Sequence, residues 1–137
     1  MTESPSGPAA LELERARDCL RSAEILAAAA QHSDAISRAY YAVFHAASAL
    51  LASIGRSSRT HDGLRALIGE HFVRPGILDP AHGRALSRLA ADRNDAEYNV
   101  AAVFRDEDVR EALAHAAAFL AAVHDLLSGA AAPDRGA

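Results

Sequence analysis

The stretch Ser37-Arg38-Ala39-Tyr40-Tyr41-Ala42-Val43-Phe44-His45-Ala46-Ala47-Ser48-Ala49-Leu50-Leu51 constrains this chain more than any other. At about 100° per residue it separates into three faces. Ile36, Tyr40, Val43, Phe44, Ala47, Leu50, Leu51 and Ile54 gather the large apolar bulk. Ala39, Ala42, Ala46 and Ala49 make a smooth second face that a neighbouring helix can approach closely. Asp34, Arg38, Tyr41, His45 and Ser48 recur at spacings of three and four, so they stack in one polar column. A helix with two packing faces belongs at the centre of its domain, and a polar column on such a helix is confined to a groove or an interface.

The remaining chain supplies partners for such a helix. Half of the residues are hydrophobic, but alanine dominates that share and aromatics are 5%. Alanine costs least in a helix, so an all-α antiparallel bundle of about five helices is expected. At 137 residues the chain suits one domain. Residues 1–7 read as a disordered lead-in, 8–129 as the helical domain and 130–137 as a disordered tail. Helices are expected over 8–30, from a cap at Ser33 or Asp34 to Ile54 with Gly55 as the stop, from Thr60 to Pro75-Gly76, from Asp79-Pro80 to about Tyr98, and from about Asp106 to Gly129. The short break at Gln31-His32 makes the first two an antiparallel pair.

The net charge of −4 argues against a broadly basic surface while leaving room for a local arginine cluster. All fourteen non-histidine basic residues are arginine, for which coding bias is a simpler account than phosphate recognition. Cys19 is alone, which rules out an intramolecular disulfide and a cysteine-built zinc site. No histidine spacing suggests a metal centre, and no metal or cofactor is expected. With no signal-like N-terminus and no long apolar run, a cytoplasmic location and no membrane partner are expected.

On the helix that ends at Tyr98, Arg93 and Glu97 share the core-facing side with Leu86, Leu89 and Ala90. Either they pair with each other, in the less favourable order for an i,i+4 pair, or they join Arg38 and His45 in a polar groove. His61 opens a helix beside Thr60 and the basic loop ending at Arg59, where backbone N–H groups could hold a phosphate; the alternative is an ordinary cap. Tyr40 and Phe44 are expected in the core.

Three segments carry a family resemblance: Ser37 to Ala46, Arg59-Thr60-His61-Asp62-Gly63-Leu64, and Arg93-Asn94-Asp95-Ala96-Glu97-Tyr98. Together they resemble the HEPN family (higher eukaryotes and prokaryotes nucleotide-binding) in its small stand-alone form, with Glu97 where that family's Arg-x-x-Ala-Asp-Tyr element has Asp. The resemblance implies a homodimer that binds RNA or a nucleotide, with a minimal nucleotidyltransferase as partner in a toxin–antitoxin pair. In RNA-cleaving members, an arginine, a polar residue and a histidine a few positions later meet across the dimer in a metal-independent site. Arg93-Asn94 matches the start of that motif, but the admissible positions hold Tyr98, Asn99 and Val100. Tyrosine, with an ordinary pKa near 10, is a poor base at neutral pH, although it could orient a phosphate. Arg38–His45, Arg56–His61, Arg65–His71 and Arg110–His115 also have admissible spacing, as fourteen arginines and seven histidines readily produce. Of these, Arg38 and His45 lie on the polar column, which makes His45 the substitute proton carrier beside Arg93 and Tyr98. Arg38, Tyr41, Asn94, Glu97, Arg59 and His61 are the candidate RNA or nucleotide contacts. The resemblance also makes Tyr98 a candidate acceptor of a nucleotide transferred by the partner.

Overall fold

A computed structural model describes residues 7–129; the expected lead-in up to residue 6 and the tail lie outside them. Five α-helices follow one another: α1 (Gly7–Ala28), α2 (His32–Ser53), α3 (His61–Ile68), α4 (Pro80–Tyr98) and α5 (Asp106–Ser128). The expected antiparallel helical bundle is what the chain forms.

α2 lies at its centre and packs on α1 most extensively, then on α5, α4 and α3. Its alanine face, Ala39, Ala42, Ala46 and Ala49, is fully enclosed, as are Ile36, Tyr40, Val43 and Leu51. Leu13, Ala16, Cys19 and Ala23 are the buried stripe that α1 turns toward it. Phe44 is only half-buried and Ile54 is exposed, so the large-residue face is open at those two points.

The helix ends follow local chemistry closely. Gly55, at φ 71°, closes α2, its N–H bonding to the Ala52 carbonyl while Arg56 N–H reaches that of Leu51. The Thr60 side chain accepts from Gly63 N–H at 2.9 Å, and that of Asp79 from Ala81 N–H at 2.8 Å with Pro80 in the first turn. Gly129, at φ 81°, ends α5. Neither Ser33 nor Asp34 caps α2: the helix starts earlier, at His32, and Gln31 occupies the cap without a side-chain bond. The reason lies in the preceding turn. Gln31 N–H bonds to the Leu26 carbonyl and Ala30 N–H to that of Ala27, a closing motif that leaves no spare residue for a separate cap. A second departure is the extension of α3 by a π-helical turn, Gly69–Val73, which buries Phe72.

The α1 terminus places Ala30 at φ 59°, the left-handed region where a β-carbon is disfavoured. Ala30→Gly should therefore stabilise the fold by about 1 kcal/mol, net of glycine's greater freedom when unfolded. A chemical-denaturation midpoint that moves down would contradict this account of the turn.

Candidate functional site around Arg93 and Tyr40

Arg93 is the one buried charged residue among those described, with 9% of its surface exposed. Its guanidinium lies 5.2 Å from the centre of the Tyr40 ring and 6.0 Å from that of Tyr41. Attraction of a cation to such faces contributes about 0.5–2 kcal/mol, more as water is removed. Nη1 reaches Glu97 at 3.5 Å, a long ion pair one turn along the same helix. Nε is buried and has no partner. The two residues do pair, and the pair does not by itself satisfy the guanidinium, whose other neighbours are Tyr40 and Tyr41, whereas His45 turns to Glu12.

Tyr40 connects this arginine to α3. Its backbone belongs to the enclosed face of α2, yet its hydroxyl bonds to Nδ1 of His61 at 2.5 Å. The His61 ring packs at centroid distances of 5.4 Å from Tyr40, 5.1 Å from Phe44 and 6.3 Å from Tyr41. The Thr60 cap fixes the start of α3 and so aims His61 inward toward these rings, away from the loop. Burial pushes the Tyr40 phenol up to about 12, even though Arg93 opposes the shift. Burial, and then the Arg93 charge, hold His61 below the ordinary histidine range. At neutral pH the pair is thus a protonated phenol against a neutral imidazole. A phenol oxygen can donate or accept, so Tyr40 supports either imidazole tautomer and leaves Nε2 for another partner.

The other expected residues are distributed as follows. Arg38 joins the cluster through Tyr41, whose ring centre is 5.9 Å from its guanidinium, while Nη2 donates to the Cys19 sulfur at 3.3 Å. His45 is held by α1: its Nδ1 is 2.8 Å from a Glu12 carboxylate oxygen. The polar column is therefore shared, with Tyr41 and Arg38 on the Arg93 side and His45 turned to Glu12. Asn94, Arg59 and Tyr98 are exposed, and Tyr98, at 75%, stands at the last residue of α4. Sequence reasoning placed Tyr40 in the core and left its hydroxyl unused. The spacing pairs Arg65 with His71, whereas its charge acts on Tyr40 and His61. A buried tyrosine one helical turn from a half-buried phenylalanine gave no local signal, because the histidine it meets is 21 positions away.

Two measurements test this arrangement. Because the folded state holds His61 neutral, the unfolded chain takes up the proton first as pH falls, and acid favours unfolding. Relative to His61→Gln, the wild-type chain should lose stability progressively below about pH 6.5, the ordinary histidine range, and the difference should be flat above it. A flat difference throughout would show that the ring titrates normally. Arg93→Met, which removes an incompletely satisfied buried charge but keeps the length of the side chain, should leave the melting temperature unchanged or raised. A loss above about 2 kcal/mol would instead make the guanidinium a structural anchor.

A family model described as HEPN domain matches residues 9–126. Over 113 residues the chain is 33% identical to a UPF0332 protein of Thermotoga maritima, an alignment covering 82% of this chain and 86% of that one. It is 35% identical over 86 residues to the Methanocaldococcus jannaschii protein named "Putative toxin MJ0605", covering 63% of this chain and 64% of the relative. The crystal structure of TT1696 from Thermus thermophilus superposes with a TM-score of 0.74, covering 88% of this chain and 98% of that one, at 21% identity, a likeness of fold. The sequence match spans nearly all of the described helices, and the chain belongs to the HEPN domain family.

Proposed function

We propose that this chain is a toxin-type HEPN protein that binds single-stranded RNA as a homodimer and cleaves it without a metal ion. The observation that carries this reading is the buried Arg93 guanidinium, incompletely satisfied by Glu97 and lying beside a neutral histidine. A fold has little use for such a charge, whereas a phosphodiester oxygen would accept its remaining N–H groups. The name of the archaeal relative supports the toxin assignment.

In this reading Arg93 neutralises the non-bridging oxygens as the ribose 2′-OH attacks phosphorus and the 5′-oxygen leaves with a proton taken from water, giving a 2′,3′-cyclic phosphate and a 5′-hydroxyl. His61 takes the place of the histidine absent after Arg93, reaching the site from α3. With its proton on Nδ1 and donated to Tyr40, Nε2 accepts the 2′-OH proton; in the other tautomer Nε2 donates to a phosphate oxygen. Arg38 and Tyr41 flank the same site, and Asn94 and Arg59 are exposed where longer RNA would pass. His45, tied to Glu12, is a secondary candidate. Exposed Tyr98, Val100 and Val103 mark an apolar strip suited to the second subunit or to a nucleotidyltransferase partner, and they leave the Tyr98 hydroxyl open to modification.

A second reading, a nucleotide- or protein-binding module without catalysis, is favoured by the lack of a histidine at the motif positions. Both readings are tested by RNA decay in EDTA with the purified chain. Arg93→Ala and His61→Ala should each slow cleavage by about 100-fold or more, and His45→Ala by much less. RNA binding without decay in the wild type would select the second reading, and a strictly monomeric chain by ultracentrifugation would count against the two-subunit site.

A further inference from the structure

Further along α3 from the aromatic cluster, the π-turn and the start of α4 border a pocket of about 460 Å³. Its floor is Ile68, Val73 and Leu86, its rim carries Arg65 and Arg84, and no carboxylate lines it. That is notable in a chain with eighteen acidic residues. Arg65 pairs through Nη2 with Asp62, but its Nε is buried without a partner. Arg84 is exposed.

Gly69 gives the pocket its room. Its φ of −59° is ordinary helix, so no backbone requirement calls for glycine there. A β-carbon at this position would meet nothing within 4 Å, so no close packing calls for it either. Glycine in a helix nonetheless costs roughly 0.5–1 kcal/mol relative to alanine. A costly residue that neither the backbone nor the packing needs, beside open space in a π-turn, is the pattern of a site kept clear for a ligand.

We propose that this pocket is a nucleotide subsite. It takes a base over its apolar floor and stacks it against guanidinium planes, while Arg65 and Arg84 hold the attached phosphate. Resting on the function proposed above, its occupant is the RNA residue neighbouring the phosphodiester at Arg93. Arg65 links the two sites, since it borders the pocket and stands one helical turn after His61 on α3. A free nucleoside monophosphate carries the same chemistry and would enter the same space.

The test measures anisotropy of a fluorescein-labelled single-stranded RNA decamer, together with thermal shifts by 5′-AMP and by ribose 5-phosphate. Gly69→Leu, which fills the pocket, should weaken RNA binding about tenfold and abolish the AMP shift, and Gly69→Ala should weaken both by less. Arg84→Ala should weaken binding and lower the salt slope by about one. Ribose 5-phosphate, lacking the base, should shift the wild type less than AMP. If circular dichroism shows that Gly69→Leu does not fold, Arg84→Ala decides. Wild-type affinity in both Gly69→Leu and Arg84→Ala, with loss in Arg93→Ala, would overturn the subsite and leave the proposed function standing. An AMP shift that Gly69→Leu abolishes, in a chain that binds no RNA, would keep the pocket and remove that function. No response of the wild type to either ligand would overturn both.

Discussion

The close approach of α1 to α2 is the contact on which the remaining architecture depends. It exists because Ala39, Ala42, Ala46 and Ala49 give α2 a face without bulk, and every one of them is fully enclosed. The adjoining face of the same helix carries Ile36, Tyr40, Val43 and Leu50 into the common core. A methylene added on the alanine face would have to move α1 or distort rotamers, at about 1–3 kcal/mol. With α2 enclosed from two sides, any polar group on it must find a partner inside the bundle or border an opening.

Most of its polar groups do find partners. Arg38 is taken up by Cys19, His45 by Glu12 and the Tyr40 hydroxyl by His61. Arg93, which meets α2 from α4, is the exception, because a 3.5 Å ion pair and two aromatic faces do not satisfy five N–H groups. A wholly structural cation in this position would be expected to acquire a second carboxylate or a carbonyl. Incomplete satisfaction of a guanidinium that is itself buried therefore separates this arginine from the ion pairs on the surface, such as Arg88–Asp92. The neutral histidine nearby follows from burial first, and the Arg93 cation lowers the proton affinity of the imidazole further.

The fold was legible because it rests on local signals. The spacing of alanines, Gly55 after α2, Thr60 and Asp79 as caps and the acidic start of α5 each act within a few residues, and the helices follow them. Arg93 was legible as well, because a charge on the packing side of a helix conflicts with its own periodicity. What the pattern could not convey was the company it keeps. Tyr40 was assigned to the core, and its ring is there; the use of its hydroxyl depends on where α3 begins across a loop. The same holds for His45, whose partner on α1 is 33 positions away. Ala30 in a position that favours glycine, and the π-turn after Ile68, arise from tertiary fit that overrides local preference.

Coding bias can account for arginine replacing lysine along the whole chain, but it does not make all fourteen arginines equivalent. On the surface a lysine would serve as well. Arg93 and Arg38 are different, because each lays a planar, weakly hydrated cation against a tyrosine ring, and a compact ammonium would lose more hydration on reaching the same depth. The overall charge of −4 does not oppose an anionic ligand there. Screening confines exposed charges to about 8 Å at physiological ionic strength, so the local arrangement decides. Several carboxylates gather in two other grooves, Asp92, Asp108 and Glu111 beside Arg88 between α4 and α5, and Glu12, Glu14 and Asp18 beside Arg15 on α1. The pocket bordered by Arg65 and Arg84 has no carboxylate in its lining, so the local field there differs in sign from the charge of the whole chain.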